Sequence, residues 1–162
     1  MEKTKLIAIK DFQSAGKSTT MWLLLKALIE DGAKVQENRL YDLNHDCYID
    51  VLEEMPPHGD LEGIDFYVVL EWHDLIIVLD GRGDSPDYLV EDINCALGLN
   101  PDFIICAIQM RPINRDIWNA FNNAFPNTQY KRVFFGAEFA KDPKDALIVK
   151  QPTIEAIMKY MA

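Results

Sequence analysis

A loop of small and polar residues near the beginning of the sequence carries the groups best suited to chemistry. Its members are Ser14, Ala15, Gly16, Lys17, Ser18, Thr19 and Thr20. The apolar run Leu6 to Ile9 precedes the loop and predicts a strand, and the apolar stretch from Lys17 to Asp31 predicts a helix. A helix begins with unpaired amide groups and the positive end of its dipole, so a loop between a strand and a helix is suited to binding phosphate.

This segment resembles the Walker A motif of P-loop nucleoside triphosphatases, GxxxxGK[ST]. The resemblance implies that Gly16 lets the backbone approach the phosphates, that Lys17 reaches the β and γ oxygens, and that Ser18 ligates Mg2+. It also implies that the loop amides hold the phosphates and that Thr19 or Thr20 lies near the α-phosphate. The sequence departs from the motif at one position.

Asp11 stands where the Walker A motif has its first glycine. Aspartate adopts the backbone angles of that position less readily than glycine, and its carboxylate adds a negative charge beside a site for anions. A P-loop that no longer turns over nucleotide is therefore one of the alternatives.

A second group of acidic residues follows the most strand-like part of the sequence. The runs Phe66 to Leu70 and Leu75 to Leu79, separated by Glu71 to Asp74, predict a β-hairpin. The second run is almost entirely aliphatic, as expected of a strand buried on both faces. It ends in Asp80, and Asp84 follows in a glycine-flanked loop.

The placement of Asp80 and Asp84 resembles a Walker B motif, whose carboxylate reaches Mg2+ from the strand beside the phosphate loop. The resemblance implies that one of the two ligates the metal and positions a metal-bound water. Asp80 to Gly83 also reads DxxG, which is similar to the γ-phosphate loop of Ras-like GTPases.

The guanine-binding NKxD motif of those GTPases has no counterpart here, because Gln109-Met110-Arg111-Pro112 stands in its place. We therefore expect ATP as the nucleotide and do not expect selectivity for GTP. Arg111 is a candidate for contact with phosphate or adenine, since arginine neutralises phosphates and stacks on bases. A solvated loop is the alternative reading of Arg111 and Arg115.

The remaining pattern predicts one α/β domain over residues 1–162, with a three-layer, P-loop NTPase-like fold. Its sheet is expected to be mostly parallel and flanked by helices, with one antiparallel hairpin, because a strand–helix–strand unit spans Leu75 to Ile108. The other predicted elements are a strand over Ala33 to Leu43, helices over Ser85 to Leu97, Asn114 to Ala124 and Thr153 to Met161, and strands over Pro101 to Ile108 and Lys131 to Phe135.

Composition narrows the classes of function. The net charge of −10 argues against a nucleic-acid surface, which needs clustered lysine and arginine. No stretch approaches the roughly 18 apolar residues of a membrane span, and no secretory signal is apparent, so we expect a cytoplasmic protein. The three cysteines share no metal-like spacing and are expected to be reduced.

The sequence therefore predicts Mg2+-dependent binding of a nucleoside triphosphate, with phosphoanhydride hydrolysis as the reaction. One alternative is a small-molecule or nucleotide kinase, with Asp42, Asp46 and Asp50 near the acceptor. The other is a non-catalytic nucleotide-binding regulator with a degenerate P-loop. The order of elements also resembles that of small bacterial ATP-binding proteins of unassigned activity. No pattern predicts a membrane, a protein partner or a dimer.

Overall fold

The computed structural model describes residues 3–11, 17–42, 47–48, 64–81, 86–109, 115–136 and 146–162. The strands are β1 Lys5–Asp11, β2 Lys34–Asn38, β3 Tyr41–Asp42, β4 Cys47–Tyr48, β5 Ile64–Asp65, β6 Tyr67–Trp72, β7 Leu75–Asp80, β8 Phe103–Gln109 and β9 Lys131–Gly136. The helices are α1 Lys17–Glu30, α2 Pro86–Leu97, α3 Arg115–Ala124 and α4 Ala146–Met161. None of the helices in these ranges is long and apolar enough to cross a membrane.

Six strands form the main sheet, in the order β2-β6-β7-β8-β1-β9. β1 pairs in parallel with β8 and β9, and β7 pairs in parallel with β8. β6 runs antiparallel to both β2 and β7. The prediction of an α/β fold is confirmed, with a mixed sheet that contains the predicted antiparallel hairpin; a P-loop NTPase-like fold in particular stays a prediction.

Two features of the sheets differ from the prediction. β7 was expected beside the strand that precedes the phosphate loop, but β8 lies between β7 and β1. A small three-stranded sheet of order β4-β3-β5 was not predicted, and it takes up the end of the segment expected to form one long second strand. β2 itself is short and is interrupted by a register shift between Val35 and Glu37.

The helices cover the two faces of the main sheet. Alternate β1 residues such as Ile7 and Ile9 lie in a core with α1 and α4. Leu6 and Ala8 face the opposite way, into a second core with α2 and α3. The central strands β1, β7 and β8 are buried on both faces, which explains why they are aliphatic almost without interruption.

Helix α1 ends in a hydrogen-bonded cap. The Gly32 amide donates to the Ile29 carbonyl at 3.0 Å, and the Ala33 amide donates to the Leu28 carbonyl at 2.9 Å. Gly32 has a φ of 97°, which is the left-handed conformation that glycine adopts without steric cost. Gly32 is therefore the C-terminal cap of this helix.

The hairpin between β6 and β7 has a shorter turn than expected. Glu71 and Trp72 belong to β6, so only His73 and Asp74 form the turn. Both have positive φ, 49° and 62°, as the central residues of a type I′ turn require. The usual Asn-Gly signal is absent, which is why the sequence pattern placed the turn over four residues.

Helix α4 begins seven residues before its predicted start and contains Pro152 in its interior. Proline lacks the amide that would bond to the fourth preceding carbonyl, so a proline usually opens a helix and does not continue one. Here the inward stripe of Ile154, Ile157 and Met161 extends back to Lys150, and all four are buried. Burial of that stripe outweighs the unfavourable proline.

Candidate functional site

The start of α1 lies beyond the carboxyl end of a central strand. β1 is flanked by β8 and β9 and ends at Asp11, and α1 begins at Lys17. No acidic residue occurs in the first turn of α1. The loop residues Ser14, Ala15 and Gly16 lie outside the described part of the chain. The backbone thus has the strand-to-helix order that the sequence predicted, at the sheet edge where α/β proteins bind ligands.

The first turn of α1 divides its side chains between the core and the surface. Thr20 is fully buried, whereas Thr19 is half-buried. Of Lys17 and Ser18 the structure describes the backbone, which is helical at both residues. Thr19 is therefore the better placed of the two threonines to contact a ligand at the end of the helix.

Asp80 is the last residue of β7 and is fully buried. It pairs with Cys106 on β8, which pairs in turn with Ala8 on β1. On the other side it pairs with Tyr67 of β6. These residues form one row across the sheet, with Asp80 and Ala8 two strands apart. The other two residues predicted to contact nucleotide or metal, Asp84 and Arg111, lie outside the described residues.

The pairing of Asp80 with Cys106 and of Cys106 with Ala8 determines how far Asp80 lies from the end of β1. Neighbouring strands are about 4.8 Å apart, so β1 and β7 are separated by about 10 Å. β1 continues from Ala8 to Asp11, which adds about 10 Å along the strand at 3.3 Å per residue. A ligand bound at the start of α1 must therefore extend across β8 to approach Asp80.

The buried carboxylate of Asp80 changes the acidity of two neighbours. Burial raises the pKa of the Cys106 thiol, and the negative charge of Asp80 raises it further. Burial also raises the pKa of Tyr67, with additional contributions from Glu37 and Asp80. Cys106 and Tyr67 are thus held in their neutral forms.

A divalent cation is the type of ligand that a buried, strand-terminal carboxylate fits. Mg2+ is commonly held by one or two carboxylates together with substrate phosphates and waters. Within the described ranges no group of three or more histidine, cysteine, aspartate or glutamate side chains is arranged to hold a metal. Asp80 is therefore suited to a shared site that the phosphates would complete.

Two lysines near the carboxyl edge of the sheet were not among the predicted site residues. Lys10, next to the end of β1, places Nζ 4.5 Å from the ring centroids of both Trp118 and Phe134. Lys150 in α4 is only 2% exposed. Lys150 has the helical spacing of the buried residues Ile154 and Ile157, so its burial could have been predicted from the sequence. The predicted helix began at Thr153, after Lys150, and the residue was therefore missed.

A cavity of about 540 Å³ lies at the opposite edge of the sheet. Its walls include Lys3, Lys5, His73, Asp102 and Phe103, at or near the beginnings of β1, β7 and β8. Lys3 forms a salt bridge with Asp102 at 3.5 Å, and Lys5 lies over the Phe103 ring. This cavity is separate from the start of α1.

The fold and the site define an α/β protein with a six-stranded mixed sheet and a helix that starts at the carboxyl end of a central strand. No family model, curated protein or solved structure matches the chain.

Proposed function

We propose that the protein binds a nucleoside triphosphate, most favourably ATP, together with Mg2+, and hydrolyses its phosphoanhydride bond. The observation that carries this proposal is the start of α1 at Lys17, beyond the carboxyl end of β1 in a parallel part of the sheet. A helix start in that position offers amide donors and a positive dipole end to an anion.

The Walker A-like sequence gives each residue of the site a role. Lys17 and the amides of the loop from Ser14 to Gly16 hold the β and γ phosphates, and Thr19 contacts the α-phosphate. Ser18 ligates Mg2+, which neutralises charge on the transferred phosphoryl group when it is bound. Arg111 adds a contact to phosphate or base.

Asp80 completes the metal site from β7, or Asp84 does so from the loop that follows. Because Asp80 lies two strands from β1, we infer that it acts through water bound to the ion. Mg2+ retains several waters in most protein sites, so an outer contact of this kind is chemically ordinary. Full burial of Asp80 keeps the carboxylate in a low-dielectric layer, where its attraction for a cation is strong.

Hydrolysis is the proposed reaction, and we assign no residue as the base for the attacking water. Turnover is therefore expected to be slow without a partner protein. The kinase alternative predicts that phosphate appears on an organic acceptor and not in water, whereas the regulator alternative predicts binding without turnover.

Phosphate release from Mg2+-ATP by the purified protein tests the proposal. We expect slow release that is abolished in Lys17→Ala, while Lys5→Ala, at the opposite edge of the sheet, behaves as the wild type. Equal release by Lys17→Ala and wild type would reject the assigned site. Tight binding of ATP without release of phosphate would reject hydrolysis while leaving the nucleotide site in place.

A further inference from the structure

The cavity at the amino edge of the main sheet is formed by three adjacent strands and the end of a helix. Lys5, Leu75 and Phe103, the first residues of β1, β7 and β8, line it. Met161, the last residue of α4, lines it as well. Pockets for small molecules commonly have volumes of about 300–1,000 Å³. The volume of this cavity, about 540 Å³, is therefore sufficient for a small organic ligand.

The strand residues of the cavity face the same side of the sheet. Lys5 pairs with Phe103, and Phe103 pairs with Ile77. Leu75 precedes Ile77 by two residues on β7, so its side chain points to the same face. Phe103 and Met161 are buried in the core formed with α1 and α4. The inner wall of the cavity is therefore apolar.

Two of the charged side chains in the cavity are paired with each other. Lys3 Nζ lies 3.5 Å from Asp102 Oδ1 in a salt bridge. The other carboxylate oxygen, Asp102 Oδ2, accepts a hydrogen bond from the Ile76 amide at 2.9 Å. Both oxygens of Asp102 are thus engaged, and its ion pair is with Lys3 and not with Lys5.

Lys5 is the remaining lysine of the cavity. Its Nζ lies 5.7 Å from the centroid of the Phe103 ring, and no acidic side chain among the described residues forms a salt bridge with it. A cation–π contact leaves ammonium N–H groups that can donate to an anion. His73 also lines the cavity, but its Nε2 is engaged at 3.2 Å by Asp31. Lys5 therefore places a positive charge beside an apolar wall, in a protein whose net charge is −10.

The helix ends at this edge favour a singly charged ligand over a phosphate. α4 ends at Met161 in the cavity, and Asp31, just beyond the end of α1, contacts His73 of the cavity wall. A helix C-terminus carries the negative end of the helix dipole, which opposes anions. It also lacks the unpaired amides that hold phosphate at a helix N-terminus. One lysine can compensate a monocarboxylate, whereas a phosphate dianion would keep an uncompensated charge.

We propose that this cavity binds a small monocarboxylic acid with an aromatic body. The carboxylate contacts the ammonium group of Lys5, and the ring packs on Phe103 and Met161. Aromatic rings favour edge-on or offset contact with one another, which gives an aromatic body an advantage over an aliphatic one. The proposal does not rest on the nucleotide site, because the cavity lies at the opposite edge of the sheet from the start of α1.

An NMR titration of the 15N-labelled protein with 3-phenylpropionate tests this proposal. We expect saturable shifts of amide signals in residues 3–5, 73–76, 102–103 and 160–162, with a dissociation constant on the order of 1 mM. The uncharged analogue 3-phenylpropan-1-ol should bind about tenfold more weakly, because it lacks the charge-assisted contact. Acetate, which lacks the apolar body, and phenyl phosphate, which carries the larger charge, should also bind more weakly.

Lys5→Met removes the charge from the cavity and keeps the length of the side chain. It should weaken binding of 3-phenylpropionate about tenfold and leave binding of the alcohol unchanged, whereas Lys5→Arg should keep most of the affinity. Lys159→Met is the matched control, because Lys159 is an exposed lysine in the last turn of α4 that does not line the cavity. This variant should bind the acid as the wild type does.

Equal affinity of the wild type for the acid and the alcohol would overturn the role of Lys5, and this comparison needs no variant. Absence of saturable shifts, or stronger binding of phenyl phosphate than of the acid, would overturn the proposed class of ligand. Displacement of the bound acid by ATP would show that the cavity is not a separate site.

Discussion

Asp80 at the end of β7 lies directly opposite Cys106 of β8, and both residues are fully buried. The thiol is held neutral, because burial and the nearby carboxylate both raise its pKa. The Asp80 carboxylate therefore lies in the core beside a thiol that keeps its proton. From its place at the end of β7 and its burial, we propose that this carboxylate serves a cation that binds with the phosphates.

The variant Asp80→Asn tests that inference, because it removes the charge and preserves the shape. We expect Mg2+ to raise the affinity for ATP in the wild type. In Asp80→Asn the factor by which Mg2+ raises that affinity should be roughly tenfold smaller, since a charged contact is lost. Affinity without Mg2+ should be unchanged. Calorimetry with and without Mg2+ measures both quantities.

The control for Asp80→Asn is Asp102→Asn, which alters an acid just before β8 at the other edge of the sheet. Asp102 Oδ2 accepts a hydrogen bond from the Ile76 amide at 2.9 Å. The asparagine can keep an acceptor there, so ATP binding should keep its full dependence on Mg2+. An undiminished Mg2+ effect in Asp80→Asn would show that Asp80 does not serve the metal.

Gly81 positions the chain immediately after Asp80 by packing tightly on Phe66. A Cβ atom at residue 81 would lie 2.9 Å from Phe66 Cβ, and the Gly81 amide donates to the Phe66 carbonyl at 3.0 Å. Gly81→Ala should therefore lower the free energy of unfolding by about 1–3 kcal/mol, the usual cost of overpacking. Urea denaturation measures the change.

Gly136→Ala is the matched control, because no atom lies within 4 Å of the Cβ that would be added there. Its stability should change much less than that of Gly81→Ala. Equal stability of the two variants would contradict the close packing of Gly81 on Phe66.

The sequence predicted the elements that have a clear apolar run or clear end signals. The helix from Lys17, the strand ending at Asp80 and the helix that begins near Pro86 were all anticipated to within one or two residues. Most of their apolar residues are ones that the fold buries. The parallel pairing of β7 with β8 also followed from the strand–helix–strand order.

Strand neighbours and the early start of α4 could not be read from local patterns. Insertion of β8 between β1 and β7 depends on contacts between segments far apart in the chain. The continuation of α4 through Pro152 depends on burial of its inward stripe, which outweighs a local helix breaker. Lys150 was missed for that reason, although its spacing from Ile154 fits the stripe.

Asp31, just beyond the end of α1, contacts the turn of the β6–β7 hairpin through its side chain. Its Oδ2 accepts a hydrogen bond from Trp72 Nε1 at 2.9 Å and lies 3.2 Å from His73 Nε2. The hydrogen bond from Trp72, and then that from His73, lower the pKa of Asp31 below the usual aspartate value of 3.8. The ionised carboxylate is therefore favoured by folding.

The sign of the resulting pH dependence follows from that lowered pKa. Asp31 stabilises the fold above its unfolded pKa near 3.8, and this contribution is lost as the pH falls through the lower folded pKa. Asp31→Asn should be less stable than the wild type at neutral pH, and the difference should shrink at acidic pH. Urea denaturation followed by tryptophan fluorescence measures it at each pH.

Asp74→Asn, on the exposed side of the same turn, provides the control. Asparagine also tolerates the positive φ of residue 74, so we expect little change in stability at any pH. If the difference in the free energy of unfolding between Asp31→Asn and the wild type stays constant down to strongly acidic pH, the role of the ionised carboxylate is contradicted.

Tyr160 carries a buried hydroxyl that has no hydrogen-bond partner among the described residues. Its ring packs edge-on against Phe103 and Phe135. Tyr160→Phe removes an unsatisfied polar atom and keeps the ring, so stability should be unchanged or rise by about 1 kcal/mol. Urea denaturation measures the change, with Tyr130→Phe, at a half-exposed tyrosine, as the control variant. A clear loss of stability in Tyr160→Phe alone would show that the hydroxyl has a partner after all.

The most direct test of the account is calorimetric titration of ATP, GTP and ADP into the purified protein, each with and without Mg2+. We predict Mg2+-dependent binding of ATP that is weakened in Lys17→Ala by about 1.5–3 kcal/mol, the contribution of a charge-assisted contact. Lys5→Ala, at the far edge of the sheet, should bind as the wild type. Absence of binding by every nucleotide, or equal binding by Lys17→Ala and wild type, would contradict a working phosphate site at the start of α1.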